Sequence, residues 1–323
     1  MREPRAAVVI PVKNAGRMMS RCLDSVFAQR YEPGYEVVVV DSGSTDGTLD
    51  VLSRYPVRLF TIPPEEFNHG GTRNYGASVA RGEFIVFITQ DAIPAGECWL
   101  SNLLAPFDLD PDIAGCFGRH VAHDDADPID ARSMDRHFSN FGPDLRIFRL
   151  DAEHEEEHRR LEWMYDFFSD NNSSLRRRVW EEHPLPVVDM AEDQHWAKMV
   201  MRLGYAKAYV PNAVVAHSHS YSPWQWARNW YDQHASYRDL DSPVAMRGLS
   251  DSVRWFVRSS REDVAYLRHA APGAPLGLGQ QLRAVANNAG RACGGYLGGN
   301  YPRVPRPIRR RLSGQRRGEA SGR

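Results

Sequence analysis

Lysine is almost missing. Of 40 basic residues only Lys13, Lys198 and Lys207 are lysine and the rest are arginine, a bias of composition rather than a sign of function. Cysteine is scarce too. Cys22, Cys98, Cys116 and Cys293 stand far apart with no C-x-x-C pair, which excludes a disulfide framework and fits buried free thiols in a reducing compartment. No stretch approaches the roughly 18 consecutive apolar residues of a membrane-spanning helix. The N-terminal MREPRAAVVIPVKN enters a strand without the apolar region and cleavage site of a secretory leader. Neither G-x-G-x-x-G after the first strand nor a G-x-x-x-x-G-K-[ST] loop occurs, which disfavours a nicotinamide dehydrogenase or a P-loop enzyme. A nucleotide's phosphates would then need other neutralisation, and a divalent metal on carboxylate oxygens is the usual route.

What is present is an ordinary globular mixture. With 42% hydrophobic and 25% charged residues, the 323-residue chain can bury the core of one large α/β domain with appendages, or of two domains. The net charge of −1 hides an asymmetry: from Asn300 onward eight arginines oppose the single acid Glu319, so the tail is about +7 and the remainder about −8.

The first ninety residues alternate strand and helix. Ala6–Val12 reads as a buried strand ending in the polar turn Lys13, Asn14, Ala15, Gly16, and residues 17–30 have helical spacing. A second strand over 35–40 ends at Asp41, followed by SGSTDGT, a loop with an N-cap signal before a helix over 49–54. A short strand over 57–62, a loop over 63–71 and a helix over 72–81 come next. Phe84–Ile88 is then a short apolar run, as expected of a central strand buried on both faces, and it stops on Thr89, Gln90 and Asp91. This order predicts a parallel, doubly wound sheet with right-handed crossovers. Asp41 and Asp91 therefore fall at the carboxyl ends of strands, where open α/β sheets bind ligands; Asp91 taken alone is equally an ordinary turn residue. In the loop FNHGGTRN, Gly70 and Gly71 permit a tight turn and close approach of a ligand. Their N–H groups can face an anion, Arg73 can form two hydrogen bonds to a phosphate, and His69 can contact diphosphate or sugar or simply shape the loop.

VVIPVKN, VVVVDSGSTDGT and ARGEFIVFITQDA resemble the nucleotide-binding half of the inverting family 2 glycosyltransferases of GT-A fold. FNHGGTRN and TQDA are similar to the bacterial dTDP-L-rhamnose-dependent rhamnosyltransferases of cell-surface polysaccharide synthesis. The resemblance spans about residues 6–240 and continues through 168–178, AEDQ at 191–194 and VVAHSHSY at 214–221. It implies a Rossmann-like, mostly parallel sheet flanked by helices. It gives Asp41 the base and ribose of a nucleotide, with Pro11, Lys13 and Asn14 lining the same pocket. Asp91 becomes the metal-ligand member of the D-x-D motif, for Mg²⁺ or Mn²⁺. Gln90 departs from that motif, standing beside the diphosphate where many relatives carry an acid. His217, ahead of His219, would complete the metal shell and compensate for Gln90; strand alternation would point those two imidazoles to opposite faces.

Further on, residues 96–107 read as a helix and Ile113–Val121 as a strand. His120, His123, Asp124, Asp125 and Asp127, and the charged stretch 151–160, read as solvated surface; residues 124–162 give little pattern. Asp170 and Asn172 either bond sugar hydroxyls or satisfy local backbone. Glu192 and Asp193 open a helical run closed by Gly204, and acids at a helix start are explained by the macrodipole alone. The resemblance makes Asp193 the general base that deprotonates the acceptor hydroxyl, with Glu192 binding acceptor or orienting the base. Two short strands over 205–211 and 214–217 precede an aromatic helix over 223–240, whose default place is core. Further helical patterns occupy 250–269 and 276–296.

The expected layout is a GT-A catalytic domain over 1–240, a helical C-terminal appendage over 241–299 and a basic flexible tail over 300–323. The expected activity is inverting transfer of L-rhamnose from dTDP-L-rhamnose to a saccharide or polyprenyl-linked glycan. Such an enzyme would be cytoplasmic, with the basic tail contacting the inner face of the plasma membrane and no nucleic-acid partner. Two alternatives stand beside it: transfer of another sugar from a UDP donor, and a catalytically weak saccharide- or nucleotide-binding protein that keeps the fold.

Overall fold

A computed structural model describes residues 3–269 and 277–314. They form two compact units. The first comprises residues up to 123, 134–188 and 192–218; the second comprises 124–133, 189–191 and the chain from 219 on.

The first unit is built on one sheet. Its strands are β1 (Ala6–Val12), β2 (Tyr35–Asp41), β3 (Arg58–Thr61), β4 (Phe84–Ile88), β5 (Ile93–Pro94), β6 (Ile113–Val121), β7 (Arg146–Phe148), β8 (Asn172–Arg176) and β9 (Ala206–Ala216), in the order β3-β2-β1-β4-β8-β6-β9-β5 with β7 also on β9. β1, β2, β3, β4, β6 and β9 run one way, while β5, β7 and β8 oppose them. The sheet is thus mostly parallel, with helices on its faces, as expected.

Both faces of the central strands are covered, and this is why their sequences are unbroken apolar runs rather than alternating ones. Val8, Ile10, Val37, Val39, Val86 and Ile88 pack one face against Met19, Leu23 and Val26 of the helix Gly16–Phe27. Ala7, Val9, Val38, Val40, Ile85 and Phe87 pack the other, in a core that includes Trp196 and Val200 of the helix Glu192–Arg202. Each such side chain contributes about 2 kcal/mol by leaving water.

Several elements differ from the sequence pattern. The helix expected from 72 begins at His69 and runs to Val79. The two expected strands after 204 are one strand, β9, with a register shift against β6 between Gly118 and Arg119. Residues 128–139, without a clear pattern, form the helix Pro128–Ser139. Lys207 is fully buried and donates to the carbonyls of Met164, Tyr165 and Phe167 at 3.1, 2.5 and 2.5 Å. It fixes the end of the helix Glu162–Asp166, and burial pushes its amine down to about 7.

The second unit is helical. Pro223–Asp239 packs on Leu278–Gly299, which packs on Leu249–His269. Gly290, Gly294 and Gly298 face the carbonyls of Pro223, Ala227 and Tyr231, where any β-carbon would collide with backbone. This close approach joins 223–239 to the C-terminal helices, so the units part after Ser218 rather than at 240. The segment read as a flexible tail carries Tyr301–Arg303, a single tight turn, and the helix Arg306–Leu312, with Val304 and Leu312 buried. Residues 315–323, the rest of that tail, lie outside the described residues.

Candidate active site

One edge of the sheet collects the candidate residues, and strand direction is the reason. β1, β2 and β4 are parallel and in register, so Lys13 and Asn14, Asp41, and Thr89 to Asp91 leave the sheet together. β8 runs the other way, and its first residue Asn172 pairs with Ile88, the last of β4. The start of β8, with Asp170 just before it, therefore meets the same edge. β9 is parallel to β6 and ends at Ala216, so His217 follows at that edge as well. Because β9 stops there, strand alternation does not govern His217 and His219.

At the β1 and β2 ends the loops hold each other. Asp41 is buried and accepts from the backbone N–H of Gly43 at 2.9 Å and of Ser44 at 3.1 Å. Asn14 takes the left-handed φ of 50°, accepts from Thr45 N–H on Oδ1 at 2.8 Å and donates its own N–H to Ser44 Oγ at 2.9 Å. Pro11 is half-buried in β1, while Lys13 and Asn14 are exposed.

Gln90 answers the question its sequence position raised. Its Oε1 accepts from Lys13 N–H at 2.8 Å and its Nε2 donates to Lys13 C=O at 3.2 Å. The amide brackets the backbone of one residue at the β1 end from the β4 end. A carboxylate there could accept but not donate, leaving the Lys13 carbonyl unpaired.

Asp91 is half-exposed, and its Oδ1 lies 3.6 Å from Nε2 of the buried His217. The His217 backbone N–H donates to Val121 C=O at 2.8 Å, and His123 Nε2 meets the Asp91 backbone carbonyl at 3.2 Å. Around an octahedral ion with bonds of about 2.1 Å, neighbouring donors stand about 3 Å apart and opposite ones about 4.2 Å. The pair at 3.6 Å falls between these spacings. A carboxylate oxygen and an imidazole nitrogen are both ligands of divalent ions, so these residues fit such an ion.

The FNHGGTRN segment departs from its expected role. Asn68 caps the helix His69–Val79, its Oδ1 accepting from Gly71 N–H at 2.9 Å and its Nδ2 donating to Val188 C=O at 2.9 Å. Gly70 lies against the Pro186 carbonyl with no room for a β-carbon. Neither glycine has a positive φ, so neither makes a tight turn; Gly70 serves close packing, while Gly71 has room for a β-carbon and its N–H is already taken. Asn74 donates to Leu185 C=O at 2.7 Å. The motif thereby clamps residues 185–188, the approach to Glu192. His69 remains half-exposed beside Phe67.

Arg73 is the largest correction. It is buried, and its Nη1 donates to Glu192 Oε1 at 2.5 Å while Nε lies 3.6 Å from Asp170 Oδ2. The guanidinium is thus bonded to one buried carboxylate and ion-paired at longer range with a second, a different place from the phosphate clamp expected of it. Glu192 is buried, and its Oε1 is taken by the same bond. Asp193 differs from both. It is only half-buried, and its two oxygens accept from the N–H groups of Asp170 at 3.1 Å and Gln194 at 2.8 Å. Ser173 Oγ donates to Asp170 Oδ1 at 2.6 Å. Burial first, then the charges of Glu192 and Asp170, push the Asp193 carboxyl well above the ordinary range. Burial pushes Asp170 up to about 6 against the pull of Arg73. Ala191, just before this helix, holds a φ of 60° that a β-carbon disfavours.

Comparison with known proteins gives the same direction. The sequence pattern of Glycosyl transferase family 2 matches residues 7–183. The chain is 34% identical over 273 residues to the O-antigen chain rhamnosyltransferase RfbN of Salmonella typhimurium, covering 83% of each chain. It is 33% identical over 236 residues to WbaN of Salmonella anatum, also an O-antigen chain rhamnosyltransferase, covering 71% of each. Among solved structures it is similar to a mannosyltransferase of Pyrobaculum calidifontis in complex with GDP-Man and Mn²⁺. That likeness has a TM-score of 0.53 at 21% identity and covers 96% of this chain and 83% of the other, a likeness of fold.

Proposed function

The chain belongs to glycosyl transferase family 2 and is a glycosyltransferase, and from that premise we propose that it moves L-rhamnose from dTDP-L-rhamnose to a glycan acceptor with inversion. The observation that carries the reading is the shared sheet edge, where the Asp91–His217 pair follows β4 and β9 and the Asp193 carboxylate, at the start of the helix Glu192–Arg202, is tied to the turn before β8. The choice of rhamnose is supported by the two rhamnosyltransferase relatives.

In the proposed reaction Asp193 takes the proton of the acceptor hydroxyl as its oxygen attacks the anomeric carbon. The new glycosidic bond forms as the bond to the nucleoside diphosphate breaks on the opposite face. Asp91 and His217 would hold Mg²⁺ or Mn²⁺, which when bound supplies positive charge for the departing diphosphate. His219 is within chain reach of that ion. Asp41, Pro11, Lys13 and Asn14 are the proposed nucleotide pocket, with the Gln90 bracket keeping Lys13 in place and His69 near the diphosphate. This structural use of Gln90 weighs against a degenerate, merely binding protein, because the missing acid is accounted for.

We further propose a lipid-linked saccharide as acceptor, met at the cytoplasmic face of the membrane. Among the described residues no helix is long and apolar enough to cross a bilayer. Support comes from exposed Arg303, Arg306, Arg310 and Arg311 near the C-terminus. A second row, exposed Leu249, Val253 and Val257 beside Arg254, Arg258 and Arg261, has the make-up of an interfacial helix.

One assay tests these readings together. Release of nucleoside diphosphate is followed with dTDP-L-rhamnose and a panel of UDP-sugars, with Mn²⁺ or EDTA, and with the acceptor free or on anionic vesicles. Acceptor-dependent turnover of dTDP-L-rhamnose, lost in EDTA and raised by vesicles, is expected. Turnover of a UDP-sugar alone would replace the donor assignment, and no effect of vesicles would remove the membrane contact.

A further inference from the structure

The buried group around the proposed base contains more charge than a proton acceptor requires. Three carboxylates, Glu192, Asp193 and Asp170, share the field of one guanidinium, Arg73, which pairs with Glu192 and Asp170. They come from three separate parts of the chain: the helix Glu192–Arg202, the turn before β8, and the helix His69–Val79. Lys198, on the same helix as the two acids, is occupied elsewhere, 3.0 Å from Asp166; His195 is the remaining titratable neighbour in the sequence. Burying an unpaired carboxylate is expensive, so a group of this kind needs its cation.

The contacts divide the acids into different tasks. Glu192 receives the short bond from Arg73 Nη1 and is turned inward. Asp170 is held by Ser173 and by the Nε side of the same guanidinium at 3.6 Å. Asp193 makes no ion pair with Arg73 and accepts only backbone N–H groups, on the more exposed side. Two adjacent acids at one helix start are thus made inequivalent by one planar cation that reaches two carboxylates at once, a geometry that lysine's single ammonium does not reproduce.

We propose that Arg73 is a positioning residue for the transfer reaction: by pinning Glu192 and Asp170 inward it leaves Asp193 alone to receive the acceptor proton. This rests on the reading of Asp193 as the base. Its consequence is electrostatic as well as steric. Arg73 favours the ionised form of Asp193, while Glu192 and Asp170 disfavour it. Removing the cation and removing a neighbouring anion should therefore move the acidic limb of activity in opposite directions.

The test uses the full chain and compares Arg73→Gln, Arg73→Lys and Glu192→Gln by pH profiles of kcat, with donor KM measured alongside. With Arg73→Gln the limb is expected to rise by about one pH unit or more, and kcat at neutral pH to fall about 100-fold. Donor KM should stay within about threefold, since Arg73 is buried against Glu192 and Asp170. Arg73→Lys should restore part of the activity and return the limb toward its original pH. With Glu192→Gln the limb should move to lower pH. If Arg73→Gln fails to fold, Glu192→Gln carries the test alone. Limbs that stay fixed in the folded variants would overturn the proposal, as would a large rise in donor KM with an unmoved limb, which would return Arg73 to the diphosphate. Failure of the base reading looks different: Asp193→Asn would then stay active, whatever the Arg73 variants do.

Discussion

Asp193→Asn should lower kcat for sugar transfer by about 10³-fold, while the dissociation constant for the nucleotide-sugar donor changes by less than about twofold. The amide has the shape of the carboxylate but a single acceptor oxygen, so of the hydrogen bonds from Asp170 N–H and Gln194 N–H it keeps one and gives up the other. What it cannot do is take a proton from the acceptor. The same substitution should leave thermal stability at neutral pH unchanged or higher. The sign follows from linkage. Burial and neighbouring acids raise the Asp193 carboxyl above its unfolded value, so its stabilising contribution is present at low pH and fades as pH rises through the raised value. Wherever the carboxylate is ionised it is a burden on the fold, and the amide removes that burden, offsetting the hydrogen bond it gives up. Titration calorimetry with donor, a melting curve and steady-state kinetics on one preparation check all three effects. Loss of donor binding would sink the base assignment, and a markedly lower melting temperature would sink the electrostatic argument.

The second large effect concerns the metal. Asp91→Asn should reduce kcat at fixed Mn²⁺ by about 100-fold or more, since charge neutralisation at a leaving diphosphate is worth several kcal/mol. His217→Gln should act in the same direction but be partly recovered at high Mn²⁺, because the carboxylate at the other side of the 3.6 Å pair is still present. Mn²⁺ binding in the presence of nucleoside diphosphate, followed by electron paramagnetic resonance of the free ion, provides a readout independent of turnover. Equal Mn²⁺ affinity in wild type and both variants would remove these residues from the metal site.

Much of this arrangement was legible in the chain because parallel strands impose it. The apolar run Phe84–Ile88 is buried on both faces, and its polar stop had to stand beside the stop of the neighbouring strands. Asp41 and Asp91 at one edge follow from that pattern. The roles of FNHGGTRN were not legible. Two glycines hide a helix start from propensity, and the partner of Arg73 lies 119 residues further along. A weaker signal was available: two adjacent acids at one helix start call for a cation, and with lysine nearly absent from this sequence that cation is an arginine. Gln90 was open for a similar reason, since its partner is a backbone group 77 residues away. The end of the second unit was misread because arginine and proline dominate its composition, while two apolar side chains, Val304 and Leu312, decide that it packs.

The most direct test is the anomeric configuration of the product, read by NMR after one turnover with wild-type enzyme and a donor of known configuration. A single displacement, with Asp193 as base on the face opposite the departing diphosphate, must give the inverted anomer. Retained configuration would contradict it, because retention requires a second displacement or a different geometry of attack.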